Sequence, residues 1–164
     1  MNERQQANNL TVAIGSDHAG YPLKESLAEA LKAEGYNVSD FGAFSLDPVD
    51  YPDVAREVAE AVAAGRYDRG ILICGTGIGM TIAANKVKGI RAAACSEPYS
   101  AMMSRAHNNA NVLGMGGRVV GPGLALEIAK AFLDTEFDCG SRHECRVDKI
   151  TAMEECSGGT VGSE

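Results

Sequence analysis

Residues 69–79 read RGILICGTGIG, an apolar run closed by Cys74 and followed by glycines at 75, 77 and 79. The run Arg69–Cys74 is short and bounded by glycine, as a strand buried on both faces should be. Apolar residues then recur at helical spacing over Ile78–Val87. The chain therefore passes from a buried strand, through a glycine loop, into a helix. That unit recurs on either side of it. Thr11–Ser16 is a strand followed by a helix over Pro22–Glu34, with Gly35 placed to end it. Tyr36–Phe41 is a second strand and Pro52–Ala64 a helix with proline in its first turn. Beyond the glycine loop come a strand over Ile90–Cys95, a helix over Glu97–Ala106 and a strand over Asn111–Met115. Two helices, Gly123–Leu133 and Arg142–Cys156, complete the pattern.

Strand and helix alternate, which predicts an α/β fold: a Rossmann-like three-layer sandwich around a five-stranded parallel sheet. Right-handed crossovers put the C-terminal ends of all strands on one edge, and ligands of such sheets bind outside that edge. The edge can be read from the sequence as Gly15, Asp17 and His18, then Cys74–Gly79, Cys95–Glu97 and Gly114–Gly117.

The chain of 164 residues is 45% hydrophobic and 23% charged, which excludes wholesale disorder and suits one domain. We place that domain at residues 10–156 and expect flexible termini at 1–9 and 157–164. A net charge of −7 argues against nucleic acid as the partner, though a small anion needs only a few local cations. No apolar run is long enough for a membrane span. Met1–Asn9 lacks the apolar centre of a signal peptide. The five cysteines form no Cys-x-x-Cys and are an odd number, so reduced thiols in a cytoplasmic protein are expected.

The glycine loop carries the chemistry. Glycines let a backbone approach a ligand closely, and amides at a helix start suit a phosphate or a reaction oxyanion. A P-loop is excluded because no Gly-Lys-Ser/Thr follows. A dinucleotide fingerprint needs glycine where Met80 stands, although Glu97 lies at a suitable distance for its acidic residue. A phosphatase-type cysteine loop needs arginine at that same position. A glycine turn without ligand is the plainer alternative. Cys74, at a strand end before a helix, is placed to be a nucleophile or a general base. Against that stands the common buried cysteine, the reading we keep for Cys95.

Other polar residues are candidates as well. Asp17-His18 closes the first strand and can hold hydroxyls or a phosphate, or can simply cap the next helix. His107-Asn108-Asn109 follows a helix, where a C-terminal cap is the plainer reading. Arg142 and Arg146 are four apart on one helical face, an arrangement that an anion between them stabilises. Arg118 follows the fifth strand, on the ligand edge.

Taken in order, 16–20 (SDHAG), 50–52 (DYP), 74–79 (CGTGIG), 83–86 (AANK), 95–101 (CSEPYSA), 107–113 (HNNANVL) and 117–121 (GRVVG) resemble type-B ribose-5-phosphate isomerase. That group also includes galactose-6-phosphate and allose-6-phosphate isomerases. The resemblance spans Leu10 to Met153. It implies a homodimer or dimer of dimers with active sites shared between subunits, a sugar-phosphate substrate, no metal and no cofactor. It assigns Cys74 as the catalytic base, Thr76 as its assistant and His107 as the ring-opening residue. It places Gly75, Gly77, Ile78 and Gly79 in the loop that holds the enediolate oxygen. Asp17, His18, Tyr51 and Asn108 match sugar- or phosphate-binding positions, and Arg118, Arg142 and Arg146 match phosphate-site arginines. The expected reaction interconverts ribose 5-phosphate and ribulose 5-phosphate. Preference for a six-carbon aldose phosphate, or a non-catalytic sugar-phosphate-binding module, are the alternatives. His143, between two of the arginines, has no assigned role.

Overall fold

Strands β1 (Thr11–Ser16), β2 (Asn37–Asp40), β3 (Arg69–Cys74), β4 (Ala92–Ala94) and β5 (Val112–Gly116) form one parallel sheet in the order β2-β1-β3-β5-β4. The computed structural model describes residues 10–156, so the expected flexible termini, 1–9 and 157–164, lie outside the described residues. Six helices accompany the sheet: α1 (Tyr21–Ala33), α2 (Tyr51–Ala63), α3 (Ile78–Ala84), α4 (Pro98–Asn108), α5 (Pro122–Leu133) and α6 (Arg142–Cys156). This is the three-layer α/β sandwich that the alternation implies.

Each sheet face has its own core. Ile14, Ile71, Ile73, Leu113 and Met115 point toward α1 and α5, meeting Leu27, Leu31, Ile128 and Phe132. Ala13, Leu72 and Val112 point the other way, toward Val54 and Val58 of α2 and Met80 of α3. Alternate residues of one strand thus serve opposite layers, as the pleat requires. Each fully buried leucine or isoleucine contributes about 1.5–3 kcal/mol of transfer free energy. α6 packs against α4 at the rim. Among the described residues, no helix is long and apolar enough to cross a membrane.

The boundaries move from the sequence expectation where side chains bond to backbone. α3 stops at Ala84 instead of Val87. The next residue, Asn85, turns its amide to the main chain of Ala92, accepting from its N–H and donating to its carbonyl. β4 shrinks to Ala92–Ala94, and β2 to Asn37–Asp40. α4 runs past Ala106 to include His107 and Asn108, because Asn109 takes the left-handed conformation at φ 46° and caps it.

The chain leaves β1 for β2 on one side, and β3 pairs on the other side of β1. The C-terminal ends of β1 and β3 therefore flank the point where the winding reverses. That is where an open α/β sheet leaves a crevice.

Candidate active site

Cys74 ends β3 in that crevice and is 5% exposed. Its Sγ accepts a hydrogen bond from the Gly77 N–H at 3.2 Å. Gly77 lies at φ 80°, and a Cβ there would stand 2.7 Å from the Met115 carbonyl carbon. Only glycine lets the loop curl back under Cys74 against β5. At Gly79 a Cβ would meet the Tyr51 ring at 3.0 Å, so glycine admits the aromatic ring across the helix start. Thr76 is exposed and its Oγ1 accepts from the Ile78 N–H at 3.3 Å. Ile78 itself points outward, 56% exposed.

The loop after β5 closes over the same loop. Gly117 N–H donates to the Cys74 carbonyl at 2.7 Å, and Arg118 N–H to the Gly75 carbonyl at 3.1 Å. The Arg118 side chain lies beside Gly75, whose ideal Cβ would be 3.8 Å from Nη1. From β1 comes Asp17, 7% exposed, with Oδ1 accepting from the Gly20 N–H at 2.8 Å. One of its two oxygens thus closes the turn that leads into α1, which has no side-chain cap of its own. His18 Nδ1 accepts from the Val49 N–H at 3.4 Å, which orients the ring. Asp17, His18, Tyr51, Cys74–Gly79 and Arg118 therefore meet at one edge.

His107, Asn108, Arg142 and Arg146 form a second group elsewhere. The His107 and His143 rings stack with centroids 4.1 Å apart and 9° between planes. Arg142 and Arg146 are exposed beside them on α6. Burial lowers the His143 pKa from its ordinary value, and the nearby His107, Arg142 and Arg146 lower it further, against Asp138. Asn108 is exposed at the end of α4.

The two groups lie at opposite edges of the sheet. α4 starts beyond the C-terminal end of β4 and, with 11 residues, runs back about 16 Å. It delivers His107 next to Asn111, whose N–H bonds to the Arg91 carbonyl just before β4. Cys74 sits at the far end of β3, a strand about 17 Å long. Within one chain, His107 and Cys74 thus stand at opposite ends of the sheet.

Two residues went unassigned at the sequence level. His143 is drawn in by its stack on His107; its place between two arginines was the available signal. Lys24 is fully buried, and its Nζ donates to Asp40 Oδ2 and to the Ala43 carbonyl. It pins the segment between β2 and α2 that bears Val49, the partner of His18. The signal was its helical spacing with Leu27, Ala28 and Leu31 on the apolar face of α1. Glu97, the candidate acid of a dinucleotide site, instead caps α4, accepting from the N–H groups of Tyr99 and Ser100. These bonds, Ser100 foremost, hold its carboxyl below the usual range. Cys95 is buried without a site, and burial pushes its thiol up to about 11.

A family model described as Ribose/Galactose Isomerase matches residues 12–150. The chain is 52% identical to ribose-5-phosphate isomerase B of Escherichia coli over 144 residues, covering 88% of this chain and 96% of that one. Among solved structures it is similar to a Clostridium thermocellum ribose-5-phosphate isomerase B (TM-score 0.88, 54% identity, covering 91% of this chain and 100% of that one). It is also similar to the Mycoplasma genitalium ribose-5-phosphate isomerase B solved with bound ribulose 5-phosphate (TM-score 0.85, 43% identity, covering 90% and 97%).

Proposed function

The chain belongs to the ribose/galactose isomerase family, and from that premise we propose that it interconverts ribose 5-phosphate and ribulose 5-phosphate in a site built by two copies. The observation that carries this reading is the convergence of Cys74, the glycine loop, Asp17-His18, Tyr51 and Arg118 at the switch point of the sheet. The edge where His107 lies supplies what is missing there. A partner copy brings His107, Asn108, Arg142 and Arg146 over the Cys74 crevice. The large apolar side chains left exposed on α3 and α4 (Ile78, Ile82, Tyr99 and Met102) suit such a pairing face.

The phosphate sits among Arg118 and the partner's arginines, which anchor the sugar and orient its reacting end. The substrate arrives as a closed ring. His107 carries the proton of the C1 hydroxyl to the ring oxygen as the bond between C1 and that oxygen breaks, leaving a hydroxyl on the chain and C1 as an aldehyde. Cys74, as the thiolate, then takes the C2 proton. The C2–H electron pair becomes the C1–C2 double bond, and the carbonyl electrons move onto O1. The amides of Gly75 and Gly79 offer donors to that oxyanion, while the Gly77 N–H holds Cys74 Sγ and the Ile78 N–H holds Thr76 Oγ1. Cys74 returns the proton to C1, while the O2 hydroxyl proton passes to O1 and leaves C2 as the ketone. Thr76, exposed at the head of the loop, assists the transfer of the hydroxyl proton. Asp17, His18, Tyr51 and Asn108 hold the sugar. Neither metal nor cofactor takes part, and the reaction belongs to cytoplasmic sugar metabolism; Cys74, Cys95, Cys139 and Cys145 are free thiols.

An isomerase assay tests this reading with ribose 5-phosphate, allose 6-phosphate, galactose 6-phosphate and a four-carbon ketose phosphate, each with and without chelator. The highest kcat/KM is expected for ribose 5-phosphate, unaffected by chelator. A six-carbon aldose phosphate as the better substrate would reassign the reaction, and loss of turnover with chelator would remove the metal-free mechanism.

A further inference from the structure

Behind His107 lies a guanidinium with no carboxylate at ion-pair distance among the described residues; Glu136 attracts it only from farther off. Arg105 is 2% exposed, two residues before His107 on α4. None of the ion pairs among the described residues includes it. Burial, and after it the nearby Arg69, lowers its pKa to about 10, so it remains charged at neutral pH. A buried charge of this kind is costly, and an apolar side chain of similar length would fill the space more cheaply. Its contacts say what the charge is for. Nη1 donates to Asn109 Oδ1 at 2.9 Å and to the Ala110 carbonyl at 2.6 Å, while Nε donates to the Thr135 carbonyl at 3.2 Å. The guanidinium carbon stands 5.9 Å from the Phe132 ring centroid.

Those acceptors belong to two separate segments. Asn109 and Ala110 form the left-handed turn that ends α4 directly after His107 and Asn108. Thr135 opens the connector from α5 to α6, which leads to Arg142 and His143. A second bond, from the Asp138 N–H to the Ala106 carbonyl, joins the same two segments. A planar fork with several fixed donors can bridge them, whereas the compact ammonium of lysine cannot reproduce that geometry.

We propose that Arg105 is a positioning residue: it ties the C-terminal turn of α4 to the α5–α6 connector. It thereby sets His107 against His143 and the Arg142–Arg146 pair. This rests on the shared-site reading above, in which that group serves the partner's Cys74. Arg105 acts only on the half-site its own chain donates.

The test uses Arg105→Lys, and beside it Asn109→Gly, which keeps the left-handed turn and removes one acceptor. Each is expected to lower kcat/KM on ribose 5-phosphate by about tenfold to a hundredfold. Each is then co-expressed with Cys74→Ala or with His107→Ala on differently tagged chains, and the mixed dimer is purified through both tags. With Cys74→Ala, one site combines an intact Cys74 with an intact His107 group, so activity should return to about half that of the wild type. With His107→Ala, no such site exists and activity should stay low. Recovery with neither partner would mean that the variant disturbs its own Cys74 crevice as well, which makes Arg105 merely structural and overturns the proposal. Recovery with His107→Ala, or wild-type kinetics in both variants, would overturn it too. The control dimer of Cys74→Ala with His107→Ala judges the shared site separately. If that control stays inactive, the shared-site reading falls and this inference falls with it.

Discussion

Gly77→Ala probes the turn that holds the loop beneath Cys74. Two costs add at that position. The residue sits at φ 80°, a left-handed conformation that costs an L-residue roughly 1–2 kcal/mol. The new Cβ would also stand 2.7 Å from the Met115 carbonyl carbon and 3.0 Å from its N and Cα. Met115 belongs to β5, an inner strand paired on both sides, so its backbone cannot retreat without breaking register with β3 or β4. Overpacking of that kind costs about 1–3 kcal/mol. The sum, about 2–5 kcal/mol, is a large share of the ~5–15 kcal/mol that stabilises a typical domain. Gly65→Ala is the control. It lies at φ 70° with nothing within 4 Å of a Cβ, so only the conformational cost applies. Equilibrium denaturant unfolding of both variants at one protein concentration gives the difference, expected near the overpacking cost. If the loop shifts to relieve the clash, the 3.2 Å bond from the Gly77 N–H to Cys74 Sγ is lost and kcat falls. Equal destabilisation of the two variants, with kcat of Gly77→Ala unchanged, would refute the reasoning.

Three further outcomes follow from the same geometry. His107→Ala should lose more activity on the ring form than on an open-chain aldose phosphate, and equal losses would remove its ring-opening role. Ile82→Glu changes a side chain 57% exposed in the single chain, so a folded monomer without isomerase activity is expected by light scattering and assay; an active monomer would count against the two-copy site. Cys95 has its folded pKa raised by burial, from an ordinary 9.0 to about 11. The unfolded chain therefore loses this proton first, and stability should fall as pH rises between those values. Cys95→Ala should flatten that fall in unfolding measurements from pH 8 to 11, and an unchanged slope would assign the loss to other groups.

The strand–loop–helix geometry around Cys74 was legible because it is local. Cys74, Gly75, Gly77 and Gly79 are consecutive enough for strand, turn and helix start to be read from them directly. Arg118 and Asp17 could be placed on the same edge because every strand of a parallel sheet ends there. The separation of His107 from Cys74 was not legible in the residues alone. It depends on α4 running back across the sheet through Asn108, and on Asn109 adopting a left-handed cap where the pattern suggested that the helix ends at Ala106. Lys24 and Arg105 had no role assigned at the sequence level. Their burial follows from acceptors supplied by distant segments, Asp40 and Ala43 for one, Ala110 and Thr135 for the other. Such long-range partners leave no trace in local spacing.

The central claim is that one chain's Cys74 works with another chain's His107. Its most direct measurement is the activity of a mixed dimer of Cys74→Ala and His107→Ala chains, purified through two tags, beside each variant's own homodimer. The homodimers should be inactive. The mixed dimer holds one site with both residues and one with neither, so about half of wild-type turnover is predicted. A mixed dimer as inactive as its parents would contradict the account, because Cys74 and His107 would then have to act from the same chain.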